Sequence, residues 1–335
     1  MTAVVEVDAI TRRFGTRAAV DGLTFGVAHG GVLALLGPSG CGKSTTLRMI
    51  AGLEEIDAGT ITLAGELVSR PRMLVAPERR RVGFVFQSFA LFPHLSVEEN
   101  VAFGARDRSR IDELLALVRL EHRRDARIHT LSGGEQQRVA LIRALAAEPR
   151  VVLLDEPFAN LDASLRRHLR EEIATTLRAR EATAIVVTHD AAEAFTLADH
   201  VAVMAEGTLL QLGTPEDVYA RPASLEVAQR TGEVVQLAGR VTERGTVATC
   251  IGELVLARPT EATQVIAIAR PEQIVIDPSG TPARVTRRVF EGGTTSLHLT
   301  AGDEQLSLRA AGVVHARIGE DIPIRITEPV IAFSR

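Results

Sequence analysis

Through the first two thirds of the chain, short apolar runs alternate with stretches of helical periodicity. This rhythm predicts a parallel sheet covered by helices. Four of the runs, "GVLALLG", "RVGFVFQ", "VVLLDEP" and "AIVVTHD", carry no internal polar alternation, as expected of strands buried on both faces. Each stops at a polar or glycine-rich tip: Gly37, Gln87, Asp155 with Glu156, and His189. In open α/β sheets ligands bind beyond the carboxyl ends of such strands, so four tips on one edge would make one site. After about residue 232 the pattern changes to short alternating segments, "QVIAIA", "TSLHLT", "EQLSLRA" and "IPIRIT", separated by "DPSG", "EGG" and "AGD". They predict a small all-β barrel or sandwich with turns at those three points. The helical stretch 215–232 is expected to close the first domain, giving domains at 1–232 and 233–335.

Composition supports this division. Aromatics are 4% of the chain and tryptophan is absent, so Val, Leu, Ile and Ala must fill the core. A net charge of −4 gives no general electrostatic reason to bind nucleic acid. No apolar run approaches the ~18–20 residues of a membrane span, and the acidic residues at positions 6 and 8 do not suit a secretory signal. The expected location is the cytoplasm, with any membrane part supplied by other chains. Cys41 and Cys250 read as free thiols.

The chemistry concentrates at the strand tips. Of the 38 basic residues one is lysine, Lys43, and it lies in Gly37-Pro38-Ser39-Gly40-Cys41-Gly42-Lys43-Ser44-Thr45. This matches G-x-x-x-x-G-K-[ST] between a strand and a helix. Such a loop turns backbone N–H groups toward phosphate oxygens and adds the partial positive charge of a helix start. A compact ammonium on a flexible stem can enter that cradle beside the β- and γ-phosphates, where the wide guanidinium fork would not fit. Ser44 is suited to Mg²⁺, as is Asp155, and Glu156 is suited to orient or deprotonate water. Ser132 and Glu135 form a capping box, which leaves Gly133 and Gly134 unexplained unless backbone there approaches a ligand. This is a second anion site, one more than a single nucleotide needs.

The ordered set "GPSGCGKST", "VFQ", "LSGGEQQR", "LLDEP", "NLDA" and "VTHD" resembles the ATP-binding subunits of ABC transporters over residues 1 to about 232. The β region with "IARPEQI" resembles the TOBE-type domain of the maltose, ferric-iron and spermidine importer ATPases. The resemblance implies a P-loop ATPase domain with a helical subdomain, followed by an OB-like β domain. It implies a homodimer whose copies pair head to tail around two ATP molecules, each held by one copy's phosphate loop and the other copy's Ser132, Gly133 and Gly134. It further implies that Gln87 senses Mg²⁺ and water, His189 contacts the γ-phosphate, Asp162 crosses the dimer interface and Phe14 stacks on adenine. The expected partners are transmembrane permease subunits and, indirectly, an external substrate-binding protein. The expected place is the cytoplasmic face of the membrane. The "QRTGEVVQLAGRV" join most resembles the ferric-iron subgroup, with sugars and polyamines as other substrates. A soluble ABC ATPase or a regulatory binding module would be the other classes. Two features depart from the family pattern: Glu135 stands where glutamine is usual, and the stretch from Phe103 to Leu120 is short. The arginine runs "PERRRVG" and "EHRRDARIH" read as solvated faces, and His94 reads as a loop residue.

Overall fold

The structure is a computed structural model that describes residues 3–159 and 163–335. The chain divides into two compact units, residues 1–220 and 221–335. In the first, the strands Val32–Leu36, Val82–Val85, Val151–Asp155, Ala184–Thr188 and His200–Ala205 run parallel, with Thr208–Gly213 antiparallel at one edge. Three of them, Val32–Leu36, Val151–Asp155 and Ala184–Thr188, are buried at every residue, as their unbroken apolar runs require, whereas Val82–Val85, at the edge of the sheet, alternates half-buried with buried residues and is not covered on both faces as its run suggested. All four expected tips therefore leave the same edge of the sheet. A second, antiparallel sheet contains Ala3–Phe14, Arg17–Ala28 and Ala58–Leu63. Leu47, Met49 and Ile50 of the helix Lys43–Ala51 lie in a core shared by both sheets, with Val7, Phe25 and Ile61 from one and Leu33, Leu35 and Ile185 from the other. The helix that carries the phosphate loop is thus held by packing along its length. A helical part follows the Gln87 tip and contains Val97–Ala102, Ile111–Leu117 and Gly133–Ala146. Two of these helices begin at capping boxes, Ser96 with Glu99 and Ser132 with Glu135.

The second unit holds two antiparallel sheets, a five-stranded one containing Val235–Val241 and Gln264–Ala269, and a four-stranded one containing Ile274–Phe290 and Thr294–Ala301. Along Thr294–Ala301 every second residue is buried, so period-two alternation places its apolar face in the core.

Three other sequence expectations change. The stretch 215–232 is two helices, Pro215–Ala220 and Leu225–Thr231. Pro222 disfavours helical geometry at the residue before it, and Ser224 caps a new start. The second helix belongs with the β unit. Ala228 packs with Ile268 and Ile331, and Arg270 donates to the Ala228 carbonyl at 2.9 Å and to Thr231 Oγ1 at 3.0 Å. "DPSG" is an irregularity inside the strand Ile274–Phe290, where Ile276 and Thr281 both pair with Ile324. A Cβ on Gly280 would lie 2.3 Å from the Ile324 carbonyl oxygen, so glycine permits this close crossing. Finally, Arg80, within the run read as a solvated face, is 1% exposed. Its guanidinium donates to the carbonyls of Val75, Met49, Ile50 and Val68 and to Ser69 Oγ. Burial without a carboxylate partner pushes its pKa down to about 10.

Candidate functional site

The strand Val32–Leu36 runs into Gly37, and the chain turns through the phosphate loop before the helix starts at Lys43. Gly42, at φ 103°, caps this helix without any side-chain acceptor. A Cβ there would lie 2.2 Å from the Ala19 carbonyl oxygen, so the turn admits only glycine. A helix start left uncapped by side chains keeps N–H donors for an anion. It opens on a cavity of about 360 Å³ lined by Phe14, Arg17, Ser39, Gly40, Lys43 and Thr45, among others. The Lys43 ammonium donates to the Gly37 carbonyl at 2.8 Å and to Pro38 at 2.9 Å, and the residue is 4% exposed. Phe14 is 51% exposed, so it is no core residue; the Arg12 guanidinium lies 5.0 Å from its ring centroid. Cys41 points inward, 3% exposed, and its N–H donates to the Pro38 carbonyl within the loop.

Ser44 Oγ donates to Asp155 Oδ1 at 2.7 Å, joining the helix start to the end of Val151–Asp155. Burial raises the Asp155 pKa, opposed by the Ser44 hydrogen bond and by Arg48. A hydroxyl and a buried carboxylate form a hard oxygen pair that suits Mg²⁺, an ion held by few protein ligands together with phosphate oxygens and water. No cluster of three His, Cys, Asp or Glu side chains that could hold a metal occurs among the described residues.

Glu156 also lines the cavity. Its backbone is left-handed at φ 44°, uncommon for a residue with a Cβ, and its N–H donates to the Val187 carbonyl at 3.1 Å. That bond to the neighbouring strand holds the turn. Gln87 Nε2 donates to Glu156 Oε2 at 3.3 Å, and His189 Nδ1 lies 3.6 Å from Glu156 Oε1. Three strand tips thus meet at one carboxylate.

Ser132, Gly133 and Gly134 do not line this cavity; they begin the helix Gly133–Ala146. Ser132 Oγ and N–H both donate to Glu135 Oε2, at 2.9 and 2.8 Å, and Arg123 Nε donates to Glu135 Oε1 at 3.1 Å. Burial works to raise the Glu135 pKa, but these contacts prevail and hold it below the ordinary value. The extra charge of this variant signature is therefore met locally, by an arginine from a run assigned to solvent. Asp162 lies outside the described residues. Two residues beside His189 escaped sequence reasoning, Thr188 at 1% and Glu193 at 5% exposed. The glutamate's place in the first turn of an apolar helix was the available signal.

An uncapped glycine loop with a buried lysine, a Ser–Asp oxygen pair and a carboxylate met by Gln and His define a P-loop nucleotide-hydrolysing cassette. Residues 20–159 match the family model described as ABC transporter. The chain is 42% identical over 347 residues to the Fe(3+) ions import ATP-binding protein FbpC 2 of Rhodococcus jostii (strain RHA1), covering 99% of each. It is 41% identical over 327 residues to the sulfate/thiosulfate import ATP-binding protein CysA of Bordetella parapertussis (strain 12822), covering 91% of this chain and 90% of the relative. Its structure is similar to the dimeric post-hydrolysis state of the ATP-binding cassette MJ0796 bound to ADP and Pi, with TM-score 0.54 and 29% identity over 63% of this chain and 98% of that one. The chain belongs to the ABC transporter family, among the ATP-hydrolysing subunits of its importers. No helix among the described residues is long and apolar enough to cross a membrane.

Proposed function

We propose that this chain powers import of ferric iron, as a homodimer docked on permease subunits at the cytoplasmic face of the membrane, with an external binding protein delivering the substrate. The convergence of Gln87, Glu156 and His189 beside Lys43 and the Ser44–Asp155 pair carries the catalytic part of this reading. The full-length likeness to a protein named for Fe(3+) import supports the substrate. Sulfate is the second reading, supported by the likeness to CysA.

In this mechanism Lys43 leaves the carbonyls of Gly37 and Pro38 for the β- and γ-phosphates of ATP, and the N–H groups of the phosphate loop and helix start hold the remaining oxygens. Phe14 offers its exposed ring to the adenine. Ser44 and Asp155 hold Mg²⁺, which neutralises phosphate charge when bound. Glu156 takes the proton of the water that attacks the γ-phosphorus, ADP departs, and Gln87 keeps the carboxylate and water in place. His189 donates to the γ-phosphate from the other side of Glu156. The second nucleotide face comes from Ser132, Gly133 and Gly134 of the second copy, with Asp162 at the interface, which accounts for a second anion site outside the cavity. Deletion of the gene should abolish uptake of ⁵⁵Fe(III), restored by the wild-type chain and not by Glu156→Gln. Retained iron uptake with lost sulfate uptake would overturn the substrate assignment.

A further inference from the structure

His189 directly follows the strand Ala184–Thr188, and its side chain is 56% exposed, so packing alone does not hold it. The residues around it are fixed by an uncommon device. Thr188, the last residue of the strand Ala184–Thr188, donates its hydroxyl proton to the carboxylate of Glu193, in the helix Ala191–Leu197. With its proton committed, the same hydroxyl oxygen must act as acceptor on its other side, and it accepts from the Asp190 N–H at 3.0 Å. Asp190 Oδ1 then accepts from the N–H groups of Ala192 and Glu193, at 2.8 and 3.2 Å. Both neighbours of His189 are pinned, one by side chain and one by backbone.

Two arginines one helical turn apart on Ala163–Ala179 approach the start of the helix Ala191–Leu197. Arg166 Nε lies 3.9 Å from Glu193 Oε1, and Arg170 Nη2 lies 3.8 Å from Asp190 Oδ2. An acidic residue in a first helical turn needs no burial to favour the helix dipole, and an exposed one avoids desolvation. Yet Glu193 is 5% exposed, and burial raises its pKa, with the Thr188 hydrogen bond opposing. The carboxylate bears that cost where it orients the threonine hydroxyl.

We infer that Glu193 is a positioning residue for His189: acting through Thr188 and Asp190, it aims the imidazole at the γ-phosphate side of Glu156. This rests on the proposed role of His189. A misplacement of about 1 Å at a reacting centre costs on the order of 10²-fold in rate. Glu193→Ala should therefore lower kcat for ATP hydrolysis by about 10- to 100-fold while nucleotide Kd changes by less than about twofold. Glu193→Gln keeps an oxygen that accepts from Thr188 and should restore most of the rate. Thr188→Val, which removes the hydroxyl at constant shape, should behave like Glu193→Ala and serves as the test if the alanine variant does not fold.

The discriminating measurement is a double-mutant cycle on the full chain. In a His189→Ala background, Glu193→Ala should slow hydrolysis by no more than about twofold, because there is no imidazole left to aim. If the two effects multiply, or if Glu193→Ala alone leaves kcat unchanged, the inference is overturned while the role of His189 stands. If His189→Ala hydrolyses ATP at the wild-type rate, the role of His189 falls and the inference with it.

Discussion

Replacing Arg80 tests how the phosphate-loop helix is anchored. Its guanidinium makes five hydrogen bonds and reaches the carbonyls of Met49 and Ile50 at the end of the helix Lys43–Ala51. In Arg80→Leu, the Met49 and Val68 carbonyls keep the N–H groups of Gly52 and Val75. The Ile50 and Val75 carbonyls depend on the guanidinium. Two orphaned carbonyls at ~1–3 kcal/mol each bring the loss to roughly 2–6 kcal/mol. Release of a buried cation offsets part of this, since burial already pushes the Arg80 pKa down to about 10. A net cost of about 3 kcal/mol corresponds to a fall of roughly 6–12 °C in the melting temperature of a unit of this size. Scanning calorimetry of the full chain should show that fall in the nucleotide-binding unit's transition, with the β unit's transition unmoved. Arg80→Lys, able to reach only some of the carbonyls, should fall about half as far. Melting within about 2 °C of wild type for Arg80→Leu would refute the anchoring argument.

Further outcomes follow from the same geometry. Lys43→Arg should abolish hydrolysis and weaken nucleotide binding in a fluorescent-nucleotide titration, because the ammonium occupies a 4% exposed slot too narrow for a guanidinium. Glu135→Gln should cost about 1 kcal/mol at pH 7 in denaturant unfolding, through loss of the charged cap and its Arg123 partner. The Glu135 pKa is lowered on folding, so this contribution is present above its unfolded value of ~4.3 and lost as pH falls through the folded value. The two proteins should converge below that window. Residues 1–220 expressed alone should fold and bind ATP by calorimetry, and residues 221–335 should lose their cooperative melt when 225–231 are removed.

The central sheet was legible because strands buried on both faces are written as unbroken apolar runs, and all four strand tips are local in sequence. The Ser44–Asp155 bond could be anticipated for the same reason, since each partner sits in its own short motif. Arg80 could not be read, because its acceptors arrive from 5 to 31 residues away and nothing in three consecutive arginines says which one turns inward. "DPSG" has the composition of a turn, and only the partner strand, where Ile324 faces two residues at once, makes it an irregularity. The helix Leu225–Thr231 follows 215–220 with a plausible helical period; its allegiance is decided by Arg270, some forty residues on.

The central claim, that Glu156 activates water in a cavity completed by a second copy's signature loop, is tested most directly by the oligomeric state of Glu156→Gln in Mg-ATP. General-base loss slows hydrolysis by ~10²–10⁴-fold, while Lys43 and the phosphate-loop backbone should still hold ATP. Size-exclusion chromatography with light scattering should then show a stable dimer carrying two ATP, absent without nucleotide and absent in the double variant with Ser132→Arg. A Glu156→Gln protein that binds ATP without hydrolysing it, yet elutes as a monomer, would contradict the account.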